Sequence, residues 1–397
     1  MQAYGVPHTS LLLPLALLLA VGCTPLNSSR DSGLHSADES SAWYSPQVFS
    51  KRIRETGRRL VGKGYDPDKA REVYGIGEMH YRAGLADKNS PRRDELLQAA
   101  RRFRNAADRW PDSALEQDAL FLAGESYFFA DHYPRANDLY EQLIAKYPHT
   151  KYLDVVAVRR FALADYWLKL NEVRPQPFWA VNVTNRQRPW RDTFGHAVRI
   201  FDRIRIDDPT GRLADDATLA AGNACFTRGR FLDADSFYTD LRNSFPSSDH
   251  QFNAHLLGVK AKMMSYEGPD YAGQGLEEAE KLIRQMRRLF PNDAEQHRDY
   301  LNRAYAEVRF NQAEREWYRA RYYDRRREYA AAGFHYEVLT TEFAETPFAE
   351  EAEVRLAQIA PLPPIPPQRM EWLVNLFPDT EDVRPLMASS EPTTTSR

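Results

Sequence analysis

The chain has only two cysteines in 397 residues, Cys23 and Cys225. Two thiols so far apart exclude a disulfide framework, and a zinc site would have to take most of its ligands from histidines or carboxylates. Long apolar runs are also missing. Leu11 to Val21, LLLPLALLLAV, is the most apolar stretch, about half of the ~20 residues that a bilayer-spanning helix needs. From Arg52 to Ile359 there are no runs of alternating β-branched residues, which excludes a sheet-built core. H-E-x-x-H, C-x-x-C and G-x-S-x-G do not occur, and the ten histidines are scattered. Metal-assisted hydrolysis, dithiol chemistry and a serine nucleophile therefore lack their signatures. Nor is there an excess of one charge: Lys+Arg is 53 against Asp+Glu 56, a net of -3. A chain whose overall charge is built for nucleic acid would be strongly basic. Only ten of the cations are lysine, and the surplus of arginine specifies no ligand by itself.

Two near-motifs do not change this. Gly57-Arg58-Arg59-Leu60-Val61-Gly62-Lys63-Gly64 spells G-x4-G-K but ends in glycine, so the hydroxyl that would ligate magnesium is missing. Gly75-Ile76-Gly77 has His80 in place of a third glycine and falls within a helical pattern. Carboxylate pairs such as Glu277-Glu278 and Glu350-Glu351 fall on expected helices and read as solvated faces. No enzyme activity, cofactor or metal is expected.

What is present begins with the leader. The Leu11–Val21 run reads as a signal-peptide core, although the preceding MQAYGVPHTS has no Lys or Arg. Ala20-Val21-Gly22-Cys23 resembles a bacterial lipobox, which would make residues 1–22 a signal peptide and Cys23 the lipidated N-terminus. The alternative is an ordinary signal peptide with an incidental cysteine. Pro25 to Ala42 is Ser-rich and poor in large apolar residues, so residues 23–50 are expected to form a flexible tether. Several acyl chains anchor stably where one does so marginally. Membrane contact through the lipid alone would then suffice, and Thr24 after the cysteine resembles an outer-membrane address.

Residues 51–360 read as one all-α array. Trp110-Pro111, Tyr147-Pro148, Asp208-Pro209, Phe245-Pro246 and Phe290-Pro291 each should end a helix. Upstream of Pro148 stand Leu120, Ala123-Gly124, Tyr127, Ala136, Tyr140 and Leu143, which match the tetratricopeptide pattern. Gly222, Cys225, Ala234, Tyr238 and Leu241 repeat it before Pro246. The expected fold is a tetratricopeptide-repeat superhelix of five or six helical hairpins with a closing helix from Phe348 to Ile359. Small residues would let paired helices approach, and large apolar ones would fill the space between hairpins. Cys225 takes the place that Tyr127 holds in the other hairpin, so it is expected to be a buried, inert thiol.

Asn171 to Gly195 interrupts this pattern with Phe178, Trp179 and Trp190 among prolines and arginines. Loops of this length are usually functional or disordered. Its aromatics suit either a partner or packing on their own repeat. In residues 361–397, PLPPIPP is expected to be a stiff spacer. A short helix should follow from Met370 to Phe377, then a disordered tail from Ser389.

The last repeat contains Glu316-Trp317-Tyr318-Arg319-Ala320-Arg321-Tyr322-Tyr323, then Arg327-Glu328-Tyr329-Ala330-Ala331-Ala332. Glu342-Phe343-Ala344-Glu345-Thr346-Pro347 and Glu350-Glu351-Ala352 follow. Together with the lipobox and tether, these runs resemble the BamD family of lipoproteins in the outer-membrane β-barrel assembly machine, over Asp112 to Ile359. Ala344 stands where that family has proline, and the region before Asp112 has a long turn outside its pattern. The resemblance implies a periplasm-facing, lipid-anchored scaffold at the outer membrane. It would receive unfolded outer-membrane chains and dock a BamA-like barrel subunit through its last repeats. The alternative is another envelope adaptor, concerned with peptidoglycan or division.

Candidate binding residues follow from position. The inward sites of the first helices are Phe121, Glu125, Phe128 and Phe129 in one repeat and Asn223 and Phe226 in another. They would suit an extended peptide with apolar and basic side chains, unless Phe128 and Phe129 pack on the neighbouring hairpin. Arg319, Tyr322, Tyr323, Arg326 and Arg327, with Trp179 and Trp190, are candidates for docking a partner. A solvated helix face is the alternative for the arginines.

Overall fold

Helices alone carry the regular structure of the described residues. The computed structural model describes residues 64–87, 90–175 and 179–366, with single positions at 372 and 376. The chain divides into Met1–Gly64 and Tyr65–Arg397, and the fold set out here is that of the second unit. The leader, Cys23, the tether, residues 57–63 of the near-motif, Phe178, the expected Met370–Phe377 helix and the tail lie outside the described residues.

Helices α1 (Pro67–Gly84) and α2 (Arg93–Arg109) form the first hairpin, α3 (Ala114–Phe129) and α4 (Tyr133–Lys146) the second. The third pairs α5 (Leu153–Val173) with α6 (Thr193–Asp207), and the fourth α7 (Ala214–Thr227) with α8 (Phe231–Ser244). The fifth pairs α9 (Gln251–Met264) with α10 (Gln274–Leu289). After a short α11 (Pro291–Gln296), the long α12 (Arg298–Arg325) pairs with α13 (Tyr329–Glu342), and α14 (Pro347–Ile359) closes the array. Helices pack mainly on their sequence neighbours, giving the expected all-α superhelix of stacked hairpins.

The prolines end helices as anticipated. Trp110, Tyr147, Asp208, Phe245 and Phe290 all cap their helices with φ between -125° and -143° and ψ between 60° and 83°. A residue before proline is pushed out of the α region by the ring's Cδ, which fixes this geometry. Each capping N–H still bonds a carbonyl four residues back, as in Tyr147 to Leu143 at 2.8 Å. Phe343 holds the same bond to Leu339 at 3.2 Å although Ala344 follows it. The interhelical turn therefore survives without its proline.

Three of the hairpins also share one internal turn. Asp131, Gly229 and Arg327, spaced by 98 residues, adopt left-handed φ values of 60°, 73° and 62°. In each, the next residue's N–H bonds the carbonyl five back: His132 to Tyr127, Arg230 to Cys225 and Glu328 to Tyr323, at 2.9–3.0 Å. This is a Schellman-type helix stop, for which glycine is the usual left-handed residue. Arg327, a docking candidate, is thus a turn residue with an exposed side chain.

The close approach within a hairpin is as repetitive. A Cβ on Gly124 would lie 2.6 Å from the ring of Tyr140, and one on Gly222 would lie 2.6 Å from that of Tyr238. Both tyrosines are wholly buried. Ala320 and Tyr336 hold the corresponding positions in the last hairpin. Gly75 and Gly77 lie inside α1, where Gly77 faces Phe103, so their pattern is helix packing.

Candidate partner-binding surfaces

On α3 the structure brings Phe121, Glu125, Phe128 and Phe129 together, and a neighbouring hairpin occupies them. Glu125 is 4% exposed. It accepts a hydrogen bond from the Tyr140 hydroxyl at 2.6 Å and a fork from Arg159 of α5, Nε and Nη2 each at 2.9 Å. The Arg159 guanidinium also lies 4.8 Å from the Phe128 ring centre and 5.2 Å from that of Phe129. Phe121 stacks on Tyr152 at 3.9 Å with the rings within 3° of parallel. Burial, with the Glu125 charge nearby, pushes the Tyr81 hydroxyl up to about 12, and the Tyr140 hydroxyl is raised well above its usual range for the same reasons. Both hydroxyls remain protonated at physiological pH. The cluster joins the second hairpin to the third.

Arg159 and Tyr152 went unnoticed in sequence reading, yet a signal for them exists. Arg159 stands 34 residues after Glu125, and Tyr152 donates to Asp118 across the same interval. One tetratricopeptide period is 34 residues, so residues at this spacing meet across consecutive hairpins.

Asn223 and Phe226 lie in the fourth hairpin. Asn223 is exposed and accepts from the Tyr238 hydroxyl at 2.9 Å, the counterpart of the Glu125–Tyr140 bond. Phe226 is half-buried and packs edge-on against Phe231 at 5.3 Å. Phe226 packs against a different cluster from Phe121 and Phe128. Cys225 is fully buried, and burial pushes its thiol up to about 11. That makes it the inert packing thiol anticipated.

The last repeats differ in charge. Between α12, the middle of α13 and the loop before α10 lies a groove of about 480 Å³, lined by Asp270, Tyr271, Arg315, Tyr318, Arg319 and Tyr322 among others. Tyr323 and His335 also line it, stacked at 5.5 Å with their rings within 6° of parallel. Arg319 pairs with Glu316 at 2.7 Å, and that carboxylate also meets His335 Nδ1 at 2.8 Å. Arg326, beside the groove, pairs with Glu328 at 2.8 Å and donates to the Tyr322 hydroxyl at 2.9 Å. Among the docking candidates, then, Arg319, Tyr322 and Tyr323 share one groove, and Arg326 and Arg327 flank it. Trp179 and Trp190 are exposed on the α5–α6 connection.

Arg315 sets the groove apart. Three cationic side chains are buried among the described residues: Arg160, Lys262 and Arg315. Arg160 pairs with Asp207 at 2.6 Å and Glu141 at 3.3 Å. Lys262 pairs with Asp235 at 2.7 Å and with Glu278. Arg315, 9% exposed, forms no ion pair among the described residues, although Asp270 lines the same groove. Its Nη2 donates to the Tyr271 carbonyl at 3.1 Å, and its Nε is buried without a partner. Gly273 makes room for it, since a Cβ there would come within 1.5 Å of Nη1. A buried charge without a counter-ion is costly, and a carboxylate from outside would offset that cost. Sequence reading missed Arg315 and Tyr271 because the loop before α10 meets α12 across 44 residues, and it missed His335, which comes from α13 to stack on Tyr323.

The α3–α4 hairpin carries the small and large positions of a known module, and a model of the tetratricopeptide-repeat family matches residues 118–150. The chain contains a tetratricopeptide repeat. The shared turns and glycine contacts extend that repeat's geometry to the fourth and sixth hairpins. Tetratricopeptide repeats are non-catalytic scaffolds that mediate contacts between proteins. Among the described residues, no group of three or more His, Cys, Asp or Glu could hold a metal ion, and no helix is long and apolar enough to cross a membrane. No curated protein matches the chain.

Proposed function

We propose that this protein is a lipid-anchored envelope scaffold that docks a partner protein at the Arg315 groove and works in β-barrel assembly at the outer membrane. The observation that carries the docking site is the contrast between Arg315 and the two other buried cations, each of which already has two carboxylates. An acidic side chain on the partner would complete the third set, with Tyr318 and Tyr322 supplying aromatic surface and hydroxyls. The resemblance of the last repeat to the BamD family supplies the biological setting. In that setting Cys23 is acylated, the body faces the periplasm, and the partner is the barrel-forming subunit. Client chains would meet the earlier repeats.

A photo-crosslinking residue at Tyr318 or Tyr322 in cells tests this. Capture of an outer-membrane barrel subunit is expected, with capture lost in Arg315→Met. Recovery of peptidoglycan or division proteins alone would transfer the scaffold to that machinery. Fractionation tests the anchor, because a Cys23→Ala variant that stays with the membrane would exclude lipidation there.

A further inference from the structure

The nineteen residues 173–191 hold four arginines, Arg174, Arg186, Arg188 and Arg191, and no Asp or Glu. In a chain where acids slightly outnumber bases, this is a local excess of one sign. The same stretch exposes large apolar side chains: Trp179 at 70%, Val183 at 77% and Trp190 at 60%.

The part of this connection from Asn182 onward is tightly built. Asn182 N–H donates to the Trp190 carbonyl at 2.8 Å, and its Nδ2 donates to the carbonyls of Asn185 at 2.6 Å and Arg188 at 2.9 Å. Asn182 Oδ1 accepts from Asn185 N–H at 3.0 Å, which closes the turn on itself. The turn is also pinned to the core. The buried Trp167 indole donates to the Gln187 carbonyl at 2.7 Å, and the Tyr166 hydroxyl donates to Gln187 Oε1 at 2.9 Å. The Trp190 indole stands in water on that support, so its backbone is fixed before any partner arrives.

We propose that this Trp/Arg loop seats on an anionic lipid surface, with the indoles at headgroup depth and the exposed guanidiniums of Arg186 and Arg191 on lipid phosphates. Tryptophan prefers the membrane interface because its ring is apolar and its N–H polar, and clustered arginines are drawn to anionic leaflets. A loop whose charges are cations alone complements a surface of uniform negative charge such as an anionic leaflet. Lipid on Cys23, at the end of a flexible tether, would only limit how far the array can stand from the membrane. A second contact at the loop fixes which side of the array faces it, beyond attachment through acyl chains alone.

The test compares variants on one full-length background, so that any contribution from Leu11–Val21 or Cys23 is shared. Binding to phosphatidylcholine vesicles with and without about 30% phosphatidylglycerol is measured by co-sedimentation. Tryptophan quenching by lipids brominated near the headgroup is measured in parallel. Trp179→Ser with Trp190→Ser is expected to weaken binding to anionic vesicles about tenfold and to remove most of the quenching. Arg186→Gln with Arg191→Gln, all on exposed positions, is expected to flatten the salt dependence. Unchanged affinity in the tryptophan variant, or equal binding to neutral and anionic vesicles, would overturn the proposal. So would a photo-crosslinker at Trp179 that captures polypeptide and never lipid, which would make the loop a protein-docking surface.

Discussion

Gly124 and Gly222 are the points where the paired helices of two hairpins come closest, each against a buried tyrosine ring at 2.6 Å from the missing Cβ. Gly124→Ala and Gly222→Ala should each destabilise the protein by roughly 1–3 kcal/mol, the usual cost of overpacking a filled core. Gly75, also within a helix, has nothing within 4 Å of its missing Cβ. Gly75→Ala should instead stabilise by about 0.5–1 kcal/mol through helix propensity. Denaturant titration of the three variants checks both signs, and equal effects at all three would show that tyrosine contact is not what selects glycine. Arg315 gives a second prediction. An unpaired buried cation is a liability in the free protein, so Arg315→Met should raise stability by on the order of 1–2 kcal/mol while abolishing partner capture. Arg160→Met leaves Asp207 and Glu141 without their cation and should lower stability by roughly 3 kcal/mol. A loss of stability in Arg315→Met would mean that the residue serves the fold and not a partner.

At the scale of elements, α14 packs on the last hairpin through Phe348, Ala352 and Ile359 and is also clamped to it by one charged fork. Arg355 meets both oxygens of Asp324, Nε to Oδ2 at 2.7 Å and Nη2 to Oδ1 at 2.8 Å. That fork holds the Asp324 carboxyl below its ordinary range. A carboxylate whose folded value is depressed stabilises the protein above its unfolded value, about 3.9, and the contribution is lost as pH falls through the folded value. Arg355 is about one-third exposed, so solvent screening limits the cost of Arg355→Ala to about 1 kcal/mol at pH 7. The gap from wild type should be full above the unfolded value and shrink as pH falls through the depressed folded value, and unfolding curves at pH 7 and at successively lower pH measure it. A gap that persists in acid would assign the effect to packing of the arginine stem. The helices themselves were legible in the sequence because proline and apolar spacing act locally. The prolines mark five helix ends. α11 and the full extent of α12 were not legible, since Arg298–Arg325 has no break and serves two hairpins with different faces. The candidate site was legible in part. Arg319, Tyr322 and Tyr323 fall in one run, whereas Arg315 gains its meaning only from Gly273 and Tyr271, which a distant loop brings to it.

At the scale of the whole array, stability should be distributed along the chain, because each hairpin packs chiefly on its neighbours. The buried apolar residues fall into successive clusters from Val73–Val156 to Ala313–Ile359. α12 breaks the sequence of separate units. Leu301, Ala304 and Val308 in its first half join the cluster built on α9 and α10. Ala313 and Ala320 in its second half join the terminal one. A continuous helix shared by two clusters couples them, so the fifth and sixth hairpins should open together. Elsewhere a lesion should stay local. Gly124→Val, measured by hydrogen exchange, is expected to speed exchange through α3 to α5 and leave α12 to α14 at wild-type protection. Val308→Ala, which hollows the first half of α12, is expected to speed exchange in α9, α10, α13 and α14 together, by a cost of roughly 1–3 kcal/mol in opening free energy. Uniform loss of protection in both variants would mean that the array unfolds as one cooperative block and that α12 has no special coupling role. If instead Val308→Ala leaves α13 and α14 protected, the groove would be held by the last hairpin alone. Partner capture at Tyr318 should then be indifferent to the state of α9 and α10, even though Tyr271 and Gly273 line or support the groove from the loop between them.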